Sequence, residues 1–232
     1  MLSTSVALKR LDSDFSKMTL SRKIAKGEFG NAGYGFYVEN PRTFEVEMDE
    51  TSKKINAELD KFTFPPKRVV FSASSLNFCI NQLINSTTYL VEVEKEYLQS
   101  VFEMLKKSLS NVIFLRPSKQ DKMNYWEPDA IYVKELFKRS PVKKDGSIAI
   151  EKLIVDLVFD EDLSSLYSGR DVDEALEILL TRYSVNYRKL LAYASRKGLK
   201  DRLLERIRWL IPGEILEVVT DDKQTKLREE SH

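Results

Sequence analysis

SIAIEKLIVDLVFDEDLSSLYSGRDVDEALEILLTRYSVNYRKLLAYASRKG, residues 147–198, carries three apolar stripes in succession with almost no slack between them. In the first, Ile150, Leu153, Ile154, Leu157 and Val158 fall at the spacing of one helix face. Val172, Ala175, Leu176, Leu179 and Leu180 repeat that spacing. Asp171 precedes them as an N-cap, with Glu174 three residues on to return to its amide as in a capping box. The third stripe, Tyr187, Leu190, Leu191 and Ala194, starts after Asn186 and stops at Gly198. Three half-apolar helices need partner surfaces, so they are expected to pack on one another and on what precedes them.

Upstream, residues 67–72, 87–93, 111–115 and 130–137 read as strands, from their β-branched and aromatic content. Between them, residues 74–84 read as a helix with Leu76, Ile80 and Leu83 inward. Residues 97–109 read as another, with Tyr97, Val101, Met104 and Leu105 on one face. Strands alternating with helices predict a small, partly parallel sheet with helices against it. The fold class is therefore α/β (α+β): a small winged-helix-like N-terminal region, then a mixed-sheet α/β domain ending in a helical segment.

The expected divisions are residues 1–40, a connector at 41–66, the α/β domain at 67–212 and a polar tail at 213–232. The connector holds one short amphipathic candidate, 55–62, closed by Pro65 and Pro66. Residues 199–210 extend the helical segment, and Pro212-Gly213 is expected to end it. In the N-terminal region, helical signals at 6–11 and 19–25 precede GEFGNAGYGFYVEN, residues 27–40, which holds four of the chain's eight glycines. Helix, helix, turn and β-ribbon is the order of a winged helix-turn-helix. An ordinary β-hairpin closing the domain fits the same pattern. A phosphate-binding loop does not, because the G-x-x-x-x-G-K-[ST] form is absent.

Lys and Arg (37) nearly balance Asp and Glu (36), so any polyanion partner must be argued from local clustering. The single Cys79 cannot close an internal disulfide, which suits a reducing compartment. No run of about 18 apolar residues is present to span a bilayer, and the first residues lack the apolar core of a signal peptide. A cytoplasmic protein without membrane association is the expectation. The one histidine, His232, ends the polar tail. Histidine-based triads, Cys-His pairs, His-ligated zinc and imidazole acid-base chemistry all lack their residue. Carboxylate, Lys or Tyr chemistry stays open.

Asp156, Asp160, Glu161 and Asp162 form an oxygen-rich set of the kind hard cations take, or simply the solvated end of an amphipathic helix. The second reading is adopted, with no metal, cofactor or catalytic residue assigned. TTYLVEVEKEY, residues 87–97, invites a nuclease reading, in which an acid, one spacer and a Lys end a strand. Val93 occupies the acid's place before Lys95, and Glu92 and Glu94 stand at the wrong offsets.

Basic residues are dense from 182 to 208. Arg182, Arg188, Lys189, Arg196, Lys197, Lys200, Arg202, Arg206 and Arg208 face only Asp201 and Glu205, nine against two. Such a patch fits nucleic-acid phosphates or an acidic protein surface. It fits equally the solvent face of two helices with cations near their C-termini. Lys9, Arg10, Lys17, Arg22, Lys23 and Lys26 add a smaller excess near the N-terminus, with Arg22-Lys23 where a recognition helix would lie.

IEKLIVDLVFDEDLSSLYSG followed by YSVNYRKLLAYASRKG resembles the C-terminal region of AbiEi-like proteins, the antitoxin and transcriptional-regulator family of type IV toxin-antitoxin systems. Glu151, Lys152, Val155 and Asp156 match one helix of that family. Tyr183, Asn186, Leu190, Leu191, Tyr193, Ala194 and Arg196 match the next. The resemblance covers about residues 64–208 and, weakly, 19–40. It implies a non-enzymatic antitoxin whose N-terminal part binds operator DNA and whose larger domain counters a nucleotidyltransferase-like toxin. On that implication Lys17, Arg22, Lys23, Lys26, Asn31 and Tyr34 would meet DNA. The chain departs from the family at the wing, where GNAGYGFY sets Asn31 and Tyr34 at places usually basic. The alternatives are a protein-interaction module of the same fold without DNA binding, and a metal-dependent nuclease or phosphotransferase using the acids of 156–162.

Overall fold

The computed structural model describes residues 8–10, 17–80, 87–124, 127–164 and 166–229. The N-terminal part holds strand β1 (Leu8–Arg10), helix α1 (Lys17–Ala25) and the ribbon β2 (Phe29–Gly33) and β3 (Phe36–Glu39). β3 pairs antiparallel with both other strands, in the order β1-β3-β2. The helical signal at 6–11 is therefore overturned at residues 8–10, which lie in register against Phe36 to Val38. A strand edge offers these residues three ladder partners, where an isolated short helix would be marginal. α1 ends in a full Schellman closure. Glu28 N donates to Lys23 O and Gly27 N to Ile24 O, with Gly27 at φ +76°.

The main sheet runs β4-β5-β7-β6, from β4 (Arg68–Ser72), β5 (Tyr89–Val93), β6 (Ile113–Leu115) and β7 (Ile131–Glu135). β5, β7 and β6 are parallel, and β4 is antiparallel to β5. The mixed α/β class and all four expected strands are present. Between β4 and β5 the expected helix is reduced to a 3-10 turn, Ala73–Leu76. Ser and Thr side chains take over the backbone there: Ser72 Oγ lies 2.9 Å from Thr87 Oγ1, which also accepts from Ser74 N at 3.0 Å. Leu76 and Ile80 are buried as expected, while Leu83 falls outside the described residues.

Alternation along the strands divides the core in two. Val70, Tyr89, Val91, Val93, Ile131 and Val133 face α2 (Glu50–Leu59) and α3 (Leu98–Ser108), meeting Ile55, Leu59, Val101 and Leu105. Val69, Phe71, Leu90 and Tyr132 face the helical segment. α2 begins five residues before the expected 55, because Asp49 caps it by accepting from Ser52 N at 2.7 Å. A short α4 (Lys119–Asn124) precedes β7.

The helical segment follows as α5 (Ile150–Phe159), α6 (Glu161–Ser164), α7 (Gly169–Arg182), α8 (Tyr187–Arg196), α9 (Lys200–Ile207) and α10 (Gly213–Glu229). The α7 cap is Ser168 and not Asp171. Ser168 Oγ accepts from Asp171 N, while the Asp171 carboxylate accepts from Ser168 N, so Asp171 closes the capping box from its third position. Asn186 caps α8 through Lys189 N, as read from the sequence. The tail expectation is corrected at its start: Gly213 opens α10, whose Ile215 and Val219 join the core. Proline just before a first turn costs the helix nothing, since the amides there have no intrahelical partner.

The β2–β3 ribbon and Phe44 pack on the helical segment. Ala32, Phe36, Val38 and the connector's Phe44 belong to the same apolar cluster as α5, α7 and α8. The ribbon docks on α8 through Gly33, at φ +89°, where an added Cβ would lie 2.7 Å from Arg188 N. Only glycine fits that approach. Among the described residues, no helix is long and apolar enough to cross a membrane.

Candidate functional site

The densest polar constellation lies between the main sheet and α5. Glu92 of β5 and Lys134 of β7 are register partners near the C-terminal ends of adjacent parallel strands, both on the face toward α5. From α5, Lys152, Asp156 and, just past its end, Asp160 recur every four residues and so line one face. α8 adds Tyr193, and Lys197 follows directly after it. Lys152 is 1% exposed, Asp156 0% and Glu92 4%. The expectation of a solvated acidic face is thus corrected at Asp156: the α5 face that carries Lys152 and Asp156 is turned into the interior.

Lys152 Nζ lies 2.8 Å from Glu92 Oε2 and bonds Asp156 more closely still. Asp156 Oδ1 also accepts from Tyr193 Oη at 3.1 Å and from Lys197 Nζ at 3.0 Å. Lys134 Nζ reaches Asp160 at 2.9 Å and Asp162 at 3.0 Å, with Glu92 at 3.7 Å. Among the described residues no buried side-chain polar atom is left without a partner. Burial works to lower the Lys152 pKa, but attraction from Glu92 and Asp156 outweighs it and holds the ammonium well above the ordinary lysine value. Burial likewise works to raise Asp160, and Lys134 overrides it, leaving the carboxyl below its ordinary value. Tyr193 is raised by burial and keeps its proton, as its donation to Asp156 requires.

Carboxylate oxygens of Glu92, Asp156 and Asp160 lie within 4.8 Å of one another, a spacing that a divalent cation could bridge. The donor set is oxygen-only, as Mg²⁺ prefers, but Lys152 already places a cation between Glu92 and Asp156. Four carboxylates here meet three ammonium groups, so one formal negative charge remains. A metal would enter only by displacing a buried lysine. The arrangement is suited to binding sheet and helices together.

The residues expected to meet DNA separate into two groups. α1 stands out from the body: Met18 is 65% exposed, and Arg22 and Lys26 are exposed at four-residue spacing on the same face. Lys17 opens this helix. Lys23 turns back, pairing with Glu28 at 3.2 Å over the Phe29 ring. Asn31 and Tyr34 are committed within the molecule. Asn31 Oδ1 accepts from Gly33 N at 2.8 Å and from Asn186 Nδ2 at 3.4 Å, and Tyr34 packs on the core cluster in a turn where it and Gly35 both have positive φ.

The basic patch of 182–208 is dispersed. Lys197 points inward to Asp156, Arg206 pairs with Asp173 at 2.6 Å, Arg202 lies over Phe159 and Arg208 over Trp209. Lys200 is half-buried at the start of α9. Arg182, Arg188, Lys189 and Arg196 remain exposed, around the α7–α8 turn and along α8. Cys79 is buried, and burial pushes its thiol up to about 12, far from the thiolate that nucleophilic chemistry needs.

Glu92, Lys134 and Lys152 were missed as a set. Lys152 and Asp156 at i, i+4 in the otherwise apolar IEKLIVDLVF signalled a charged pair on a largely buried helix, and Glu92 within YLVEV is the matching anomaly on a strand. No curated protein matches the chain. The sequence model of one family covers residues 16–211, and the chain belongs to that family, DUF6577, a family of unknown function.

Proposed function

We propose that this chain is a non-enzymatic DNA-binding regulator of the antitoxin type that its AbiEi-like resemblance implies, contacting DNA through α1. The observation that carries this reading is the exposed Met18-Arg22-Lys26 face of α1, fixed to the β2–β3 ribbon by the Schellman closure at Gly27. With its side chains an α-helix is about 10–12 Å across, which a major groove about 12 Å wide admits. The basic residues of α1 supply phosphate or base-edge contacts. The packed ribbon supports α1 in this reading and is not itself a probe of the groove. The nucleotidyltransferase-type toxin enters only through the resemblance.

The test is an electrophoretic shift of duplex DNA from the protein's own upstream region, repeated at rising salt. Binding should weaken with salt and be weaker in Arg22→Ala/Lys26→Ala, with a smaller dependence on salt. No shift at low salt defeats the DNA reading and leaves the protein-interaction alternative. A metal-dependent nuclease or phosphotransferase is the second reading, favoured by the convergence of Glu92, Asp156 and Asp160. It requires divalent-dependent turnover that Asp156→Asn abolishes.

A further inference from the structure

The α8 face turned away from the ionic cluster lines a cleft of about 600 Å³, closed on its other side by residues 139–143 and Phe44. Five cations line it, Arg139, Lys143, Arg188, Lys189 and Arg196, against one carboxylate, Glu151. Glu151 is already engaged, accepting from Asn186 N at 3.2 Å. In a chain of formal charge +1, that local excess focuses positive potential into a concavity. Arg139, Arg188 and Lys189 make no ion pair among the described residues. Arg196 spends one donor on Arg139 O at 2.8 Å, which ties the two guanidinium-bearing segments together. Arg139 sits at φ +56°, a conformation seldom taken by a residue with a side chain.

The floor is different in kind. Its accessible apolar part is Pro141 and Val142, the latter 37% exposed, while Phe44 and Ile150 are buried beneath, Phe44 under the Lys143 ammonium at 5.7 Å and accepting from it through its O at 2.7 Å. A volume of this size suits a small ligand. Arginine forks recognise phosphate oxygens in pairs, and an exposed aliphatic surface takes the face of a flat ring. We infer that this cleft binds the phosphates of a nucleotide, free or at the 5′ end of a strand, with the base against Pro141 and Val142. The inference stands apart from DNA binding by α1, since it uses none of the same residues.

Calorimetric titration of the full chain at low salt tests it, with adenosine triphosphate, inorganic tripolyphosphate, and a short oligonucleotide with and without a 5′-phosphate as probes. Saturable binding is expected, tighter for the nucleotide than for tripolyphosphate and weakened about tenfold or more in Arg188→Ala/Arg196→Ala, the worth of one charge-assisted pair. Arg22→Ala/Lys26→Ala should leave it unchanged. Preference for the phosphorylated over the unphosphorylated oligonucleotide assigns the strand end; its absence, with triphosphate bound, assigns the free nucleotide. No saturable binding of any probe up to ~1 mM overturns the proposal. So does equal affinity for tripolyphosphate, or affinity that the arginine substitutions do not touch.

Discussion

Two faces of α8 use the same residue types to opposite ends. Inward, Tyr193 and the adjoining Lys197 meet Asp156, and each charge has a partner. Outward, Arg188, Lys189 and Arg196 stand over a cleft with one carboxylate among five cations. The interior cannot hold an unpaired ion, because the cost of removing it from water has to be offset by a partner at bonding distance. The surface can, because water screens it. Partnered charge therefore marks what holds this molecule together, and unpartnered charge marks where a ligand would gain most.

The largest effect should come from breaking the inner set at its centre. Lys152→Met leaves Glu92 and Asp156 facing each other without their cation, and urea unfolding should show a loss of about 3–5 kcal/mol. Replacing Lys152, Glu92 and Asp156 together by apolar residues of similar volume should recover most of that loss. If the triple variant is as unstable as the single one, the cluster does more than neutralise itself.

Next in size is the seam between ribbon and α8. In Gly33→Ala the new Cβ would meet Arg188 N at 2.7 Å from a backbone at φ +89°. Stability should fall by about 1–3 kcal/mol. Hydrogen exchange should quicken at the first amides of α8 ahead of those in β5. Loss of the α8 cap is milder: Asn186→Ala frees Lys189 N and should cost ~1 kcal/mol by thermal melting.

A pH dependence follows from Asp160, whose pKa is held below its ordinary 3.8. Such a group adds stability above its unfolded pKa and loses it as pH falls through the lower folded value. The acid limb of the stability curve should therefore begin near pH 4. Asp160→Asn, which retains an oxygen for Asp162 N, should flatten that limb, and an unchanged limb would remove Asp160 as its source.

The sheet and the helical segment were legible because their signals are periodic. Val69 and Phe71, or Leu176 and Leu180, repeat at the spacing of one buried face, and local spacing decides which way a side chain points. What was not legible depends on pairs distant in sequence. Lys152 bonds Glu92 across sixty residues, and Gly33 is required by Arg188, on an element far along the chain. Neither partner announces the other locally. The 3-10 turn at 73–76 failed for a similar reason, since Thr87 supplies the oxygen that diverts Ser74 from a helix. α10 was hidden by its polar composition, with burial concentrated in Ile215 and Val219.

The smallest effect on folding is the most informative about α1. Arg22 and Lys26 are exposed, so Arg22→Ala/Lys26→Ala should leave stability within about 0.5 kcal/mol of the parent, as surface substitutions away from special features do. Each phosphate contact removed should lower the slope of log affinity against log salt by about 0.9, so the pair should lower it by nearly two. Lys23→Ala is the internal control, because its ammonium is already spent on Glu28 and Phe29 and should contribute little to that slope. A slope that changes as much with Lys23 as with Arg22 and Lys26 would mean that charge near α1 acts only in bulk. A slope that follows the two exposed cations alone ties DNA to one face of one helix.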